Sequence, residues 1–322
     1  MGIWRNMTGR CARRSSGRFA ALAAPALLIA ALMPSTGACA APAVVTSIGP
    51  LHSLAAAVMG TLGQPRQLVR GYGSPHTYQM RPSDAAALRE ADLIVWVGPA
   101  LETFLLRPLE GRRDGARVLE LSRLDGLRLL PNRSAGVLDD DAHAGAHEAK
   151  AGFDAHVWLS PFNARVIAAA IATELGAVDP VNAPAYRRNA EHLSGRIDAM
   201  ERRIAARLAP VRGVPFVMFH DAFQYFEKSF GLNAVGSVTV SPGRTPSARR
   251  IKKLREAIAD SGARCVFREP QFESALVQVL LEGTQARSGV LDPLGTDIAP
   301  GPDGYIALME ANAEALIACL GP

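Results

Sequence analysis

The chain has 322 residues, 48% of them hydrophobic, and a formal net charge of +5. Residues 1–40 carry five of its 35 Lys and Arg and none of its 30 Asp and Glu, so the remainder is formally neutral. Neutrality gives no reason to expect a nucleic acid or an anionic membrane as partner, because both select a standing positive charge.

The chain opens with Arg5, Arg10, Arg13, Arg14 and Arg18, then an apolar run from Phe19 to Met33, then the small residues Ala38-Cys39-Ala40. This is the pattern of a secretory signal peptide, its apolar part too short for a transmembrane helix. Thr36-Gly37-Ala38 is a poor lipidation box for Cys39, so cleavage after Ala40 is expected. The 282 residues that follow suffice for two modest domains. Cys11 and Cys39 leave with the signal, and Cys265 and Cys319 remain. An even pair in an exported chain reads as a disulfide, with two buried thiols as the alternative.

From Val44 onward, β-rich runs alternate with helical ones. Strand Val44–Ser47, helix Leu51–Met59 and strand Gln67–Arg70 lead into the turn-rich Gly71-Tyr72-Gly73-Ser74-Pro75-His76. Helix Ser83–Ala91, strand Leu93–Gly98, helix Leu101–Glu110 and strand Arg117–Leu121 follow. The aperiodic stretch Ser122–Asp154 contains Asp139-Asp140-Asp141, His143, His147 and Glu148, the composition of a mobile acidic loop. Ser160-Pro161 opens a helix to about Gly176.

Next comes the longest periodic stretch, Asn182–Ala209. Tyr186, Ala190, Leu193, Ile197, Met200, Ile204 and Leu208 recur at steps of three and four, which is one apolar helix stripe. Asn182 is placed as N-cap, and Pro210 and Gly213 end the run. A rod of roughly 40 Å in mid-chain reads as a strut between two lobes. The same alternation then returns: strand Phe216–His220, helix Ala222–Phe230, strand Ala234–Val240, a helix Ser247–Ala259 capped by Thr245-Pro246, strand Cys265–Arg268, helix Glu273–Gln285, strand Gly289–Leu291 and a last helix Tyr305–Leu320. The expected fold is α/β, with two mostly parallel sheets joined by one long helix and a cleft between the lobes. The domain reading is a signal at 1–40, an N-terminal lobe at 41–181 with a mobile loop at 122–153, a linking helix at 182–210 and a C-terminal lobe at 211–322. The halves share no evident sequence repeat.

Ligands of open parallel sheets bind beyond the carboxyl ends of the strands. His76 follows the second strand, His220 ends the strand Phe216–His220, His156 precedes the Ser160-Pro161 helix, and Asp292 follows Gly289–Leu291. Three imidazoles with a carboxylate or water form a zinc-like ligand set, provided their loops converge. A lone histidine at a strand end more often packs or caps, and joint placement is what favours a shared site. His52, at the start of the first helix, is not expected as a ligand, and His192, off the apolar stripe, is expected in solvent. No phosphate-binding glycine loop, G-x-S-x-G or H-E-x-x-H is present.

His76-Thr77-Tyr78-Gln79-Met80-Arg81-Pro82-Ser83-Asp84 and Ala91-Asp92-Leu93-Ile94-Val95-Trp96-Val97-Gly98 closely resemble the zinc-specific solute-binding proteins of periplasmic ABC importers. So do Asp154-Ala155-His156-Val157-Trp158-Leu159-Ser160-Pro161, His220-Asp221-Ala222-Phe223, Glu269-Pro270-Gln271-Phe272 and Leu291-Asp292-Pro293-Leu294-Gly295. The resemblance runs in order from about Val44 to Leu320. It implies metal bound between two lobes, zinc ligation by His76, His156 and His220, and a disulfide between Cys265 and Cys319. Where some zinc-binding relatives carry an acidic residue before the first histidine this chain has Pro75, which leaves the fourth ligand between Asp292 and water. The histidine-rich loop of many relatives is reduced here to the stretch around His143 and His147.

The expected function is periplasmic, monomeric and non-enzymatic: Zn2+ is bound as transported cargo and delivered to an inner-membrane ABC permease. Manganese- and iron-binding relatives tend to carry a carboxylate where His220 stands, and imidazole there favours zinc. The rival is an exported three-histidine zinc hydrolase using Glu269 or Asp292 as general base. A metal-dependent surface adhesin would need the lipid anchor that the poor box argues against.

Overall fold

Among the described residues, eight short strands supply two parallel sheets of the same topology. The computed structural model describes residues 41–133, 152–239, 247–272 and 275–322, which belong to the compact unit Ala40–Pro322. Residues 1–40, read above as a signal peptide, and His143 and His147 lie outside the described residues. The first sheet has the order β2-β1-β3-β4, with β1 at Val44–Thr46, β2 at Arg66–Gln67, β3 at Leu93–Trp96 and β4 at Arg117–Glu120. The second has the order β6-β5-β7-β8, with β5 at Pro215–His220, β6 at Asn233–Thr239, β7 at Cys265–Arg268 and β8 at Arg287–Val290. All pairings are parallel. Parallel strands need crossovers and burial on both faces, which accounts for the continuous apolar runs such as Leu93-Ile94-Val95-Trp96, buried throughout.

The helices are α1 Gly49–Met59, α2 Pro82–Glu90, α3 Leu106–Glu110, α4 Pro161–Val178, α5 Ala183–Leu208, α6 Gln224–Phe230, α7 Ala248–Ser261, α8 Ala275–Leu281 and α9 Gly304–Leu320. Three depart from the sequence reading for local reasons. Pro108 cannot donate to the carbonyl of Phe104, so the expected helix Leu101–Glu110 breaks into a 3-10 turn at Thr103–Leu105 followed by α3. A tight turn in which Ala222 N donates to the His220 carbonyl (2.8 Å) delays α6 to Gln224. Ser247 caps α7 by accepting from Arg250 N; the expected cap Thr245-Pro246 lies outside the described residues. The strand β2 is shorter than expected because the chain turns away through Arg70 and Gly71, the latter at φ 56, a left-handed conformation that suits glycine.

The seven stripe residues of α5 are all buried. The helix packs against α1, α4 and α9. Arg196, Arg203 and Arg207 on α5 pair with Asp303, Glu310 and Glu314 beside or on α9. Asn182 stands at its N-cap position but makes no side-chain cap hydrogen bond; its amide donates to Asp179 Oδ2 at 2.8 Å. The Cys265–Cys319 disulfide ties β7 to α9, with Cα atoms 6.2 Å apart across 54 residues of sequence. Among the described residues no helix is long and apolar enough to cross a membrane.

Candidate metal centre

His76, His156 and His220 meet. Each offers a ring nitrogen within 4.8 Å of the other two, and among the described residues they are the group able to hold a metal ion. Their ring centroids lie 4.8–5.7 Å apart. Ser74, Pro75, Trp158, Glu269, Gln271, Phe272, Pro293 and Leu294 complete the walls.

Each histidine is placed by different local structure. His220 closes the central strand β5, where the ladder to β6 and β7 fixes its backbone. His156 precedes the 3-10 turn Val157–Leu159. Its neighbour Trp158 donates to the Pro293 carbonyl at 2.8 Å, and Tyr305 donates to the Trp158 carbonyl at 2.9 Å, so this motif is bolted to the second half. His76 lies within a turn closed by Thr77 N, which donates to the Ser74 carbonyl at 3.2 Å. The next stretch is fixed by the Tyr78 hydroxyl, shared between the Leu68 carbonyl and Asp84.

Two carboxylates orient the rings from behind. Asp154 Oδ1 lies 2.7 Å from His156 Nδ1 and also accepts from His156 N at 3.0 Å. Glu269, at the carboxyl end of β7, faces His220 Nδ1 at 3.2 Å. A carboxylate on Nδ1 fixes the tautomer with the proton there and leaves Nε2 as the donor lone pair. His220 Nε2 and His76 Nε2 are covered and have no protein partner. Burial first, then the neighbouring histidines, holds His76 well below the usual imidazole pKa; burial and His220 do the same for His156. His220 is also pushed down by burial, but Glu269, Asp221 and Asp154 outweigh that and raise it. Burial pushes Asp154 up to about 7.

The site rests on a polar scaffold. Arg133 pairs with both Asp221, next to His220, and Glu227 of α6. The Tyr225 hydroxyl donates to the Asp154 carbonyl at 2.8 Å and accepts from Leu130 N at 3.0 Å. Gln224, with its amide turned to donate, reaches Asp154 Oδ2 at 3.1 Å. Sequence reading gave no role to Asp154 or Arg133. The signal for Asp154 was available, a carboxylate two residues before a candidate ligand; Arg133 had none, because its partners lie 88 and 94 residues away.

Asp292 stands outside the trio. One carboxylate oxygen accepts from Gln271 Nε2 (2.8 Å) and Leu294 N (2.9 Å), and the other accepts from Thr296 N. These bonds occupy it in shaping the loop that carries Pro293 and Leu294. His52 lies within α1, buried, and lines a different cleft; His192 is exposed.

The family profile described as "Zinc-uptake complex component A periplasmic" matches residues 44–319. The high-affinity zinc uptake system protein ZnuA of Brucella abortus is 42% identical over 304 residues, covering 86% of this chain and 91% of that protein. A crystal structure of ZnuA superposes with a TM-score of 0.73 at 26% identity, covering 86% of this chain and 98% of that one. A ZnuA deletion mutant with zinc bound gives 0.72 at 25%, covering 87% and 98%.

Proposed function

The chain belongs to the family of the periplasmic zinc-uptake complex component A, and from that premise we propose that it captures Zn2+ in the periplasm and delivers it to an inner-membrane ABC permease. His76, His156 and His220 are the protein ligands, each through its Nε2. The observation that carries this reading is the convergence of three imidazole nitrogens within 4.8 Å, two of them with buried, unpartnered Nε2 atoms. A tetrahedral zinc with Zn–N bonds of about 2.0–2.1 Å would draw those nitrogens to roughly 3.3 Å apart, a small contraction. Imidazole donors without a carboxylate among them favour Zn2+ over the harder Mn2+.

In this reading zinc is cargo. The fourth position goes to water, since Asp292 is spent on its own loop. The same accounting supports a non-enzymatic role. A hydrolase would need a free base beside the metal-bound water, and Glu269 is turned to His220 Nδ1 while Asp292 already accepts three hydrogen bonds. Residues 41–181 and 211–322 act as the two lobes, held by the helix within 182–210, and the protein works as a monomer.

Competitive titration of the metal-stripped protein with Zn2+ and Mn2+ tests the proposal. Zinc should win by orders of magnitude, and His76→Ala, His156→Ala or His220→Ala should each lower zinc affinity at least tenfold without unfolding the chain. Mn2+ bound as tightly as Zn2+, or full affinity in any one variant, would remove that ligand set.

A further inference from the structure

The three histidines are not held alike. His156 and His220 are 6% and 2% exposed, whereas His76 is only partly buried. His156 and His220 each have a carboxylate at Nδ1, and the His156 motif is tied to the second half through Trp158 and Pro293. The clamp behind His76 stays within the first half, since the Tyr78 hydroxyl meets Leu68 and Asp84. Among the described residues, one hydrogen bond joins the segment Gly71–His76 to the second half. The Tyr72 hydroxyl donates to Asp297 Oδ1 at 2.9 Å.

That bond spans a gap. Gly71 and Gly73, on either side of Tyr72, and Thr296 and Ile298, on either side of Asp297, line a cleft of about 720 Å3 between the two loops. The cleft reaches Leu294, which is also a wall of the histidine centre. Close-packed side chains resist displacement, but widening an existing cleft breaks no packed core there. The loop also has a joint. Gly71 stands at φ 56, and a Cβ on it would meet nothing within 4 Å.

An ion held by three ligands loses them one at a time, because breaking one bond costs less than breaking all together. The ligand with the weakest support leaves first, and here that is His76. We propose that zinc is released by withdrawal of His76 from the other two histidines, and that the Tyr72–Asp297 hydrogen bond is the latch that times it. Tyr72, four residues before His76, is thus a positioning residue that acts through that ligand. The latch rests on the zinc reading above, and its test separates the two.

Stopped-flow transfer of zinc from the loaded protein to excess chelator reads the release rate, and uptake by the metal-free chain reads the binding rate. Tyr72→Phe keeps the ring and loses the donor, so release should quicken about three- to tenfold, the range of one net hydrogen bond. The binding rate should change by less than about twofold, since the latch acts on the bound state. Asp297→Ala should match Tyr72→Phe, and Asp297→Asn, which can still accept, should stay near wild type. The double variant Tyr72→Phe/Asp297→Ala should release zinc no faster than either single one, because both remove the same bond. Both side chains are exposed, so none of these changes touches the core. Hydrogen exchange gives a readout free of metal: amides of residues 71–77 in the metal-free chain should exchange faster in Tyr72→Phe and not in Asp297→Asn. Release from Tyr72→Phe at the wild-type rate, additive effects in the double variant, unchanged amide exchange, or an affinity loss carried by the binding rate would each overturn the latch and leave the zinc reading standing. A wild-type protein that binds no zinc would overturn that reading, and the latch with it.

Discussion

Lowering the pH should strip zinc from the three-histidine centre in two stages, because the rings do not share one pKa. Nε2 binds metal only when it carries no proton, so apparent affinity falls as each ring protonates. His220 is raised above the ordinary 6.5 by Glu269, Asp221 and Asp154 against its burial, so it takes its proton first as the pH falls. Asp154, pushed up to about 7 by burial, accepts a proton in the same range and relaxes its hold on His156. His76 and His156 are held well below 6.5 and stay neutral longest. Apparent affinity should therefore fall by about one to two decades per pH unit just below neutrality, and more steeply only well below pH 6.5. Glu269→Gln separates the contributions. It removes the largest influence that raises His220, so the onset of the fall should move to lower pH. On the alkaline plateau, above the titration of all three rings, the loss of orientation should still cost about 10–100-fold in affinity, or about 1.4–2.7 kcal/mol. The assay is a competitive chelator titration from pH 8 to pH 5 in a non-chelating buffer. A flat wild-type profile, or an onset in Glu269→Gln that does not move, would refute the reasoning.

Arg133→Met should destabilise the protein by about 3–5 kcal/mol, because Asp221 and Glu227 would remain buried without their cation; urea denaturation measures this, and zinc affinity should fall with it through the displaced neighbour of His220. Reducing Cys265–Cys319, or replacing both residues by Ser, should cost on the order of 4 kcal/mol for a loop of 54 residues, read as a lower Tm in the metal-free protein. Gly289→Ala should cost about 1–3 kcal/mol, since a Cβ there would strike the Phe267 ring, which the adjoining disulfide keeps from yielding. An unchanged denaturation midpoint in that variant would mean that β8 shifts freely.

What the sequence made legible follows from the range of the interactions involved. The α5 stripe could be read residue by residue, since one helix face depends on neighbours three and four apart, and all seven positions are buried. His76, His156 and His220 could be nominated because strand ends in parallel sheets face ligands, and the structure brings them together. The fate of Asp292 could not be read. Its occupation depends on Gln271, Leu294 and Thr296, and strand-end position alone does not distinguish a ligand from a loop clamp. The break at Pro108 was visible as a residue and passed over in favour of periodicity. Arg133 is the opposite case: an arginine at the edge of a polar stretch carries no mark of the two acids it meets from the far half of the chain.

The identical strand order of the two sheets, invisible as a sequence repeat, explains why the centre is lopsided. In this order the connections diverge at the central pair of strands, and the crevice beyond their carboxyl ends is where a ligand can enter. In the second sheet that crevice lies between β5 and β7, and it holds His220 facing Glu269. The matching crevice of the first sheet, between β1 and β3, is closed. Glu102, fully buried, fills it by accepting from the Ser47 hydroxyl at 2.5 Å, Val97 N at 3.2 Å and Gly98 N at 2.9 Å. Both crevices thus contain a carboxylate, but in one it orients a ring of the three-histidine cluster and in the other it satisfies the ends of its own strands. The first half must then present its histidines from loops, His76 after β2 and His156 before α4. Loops need external fixing that a strand end does not, and this accounts for the clamps around them: Tyr78 on Asp84 behind His76, and Trp158 on Pro293 with Tyr225 on Asp154 around His156.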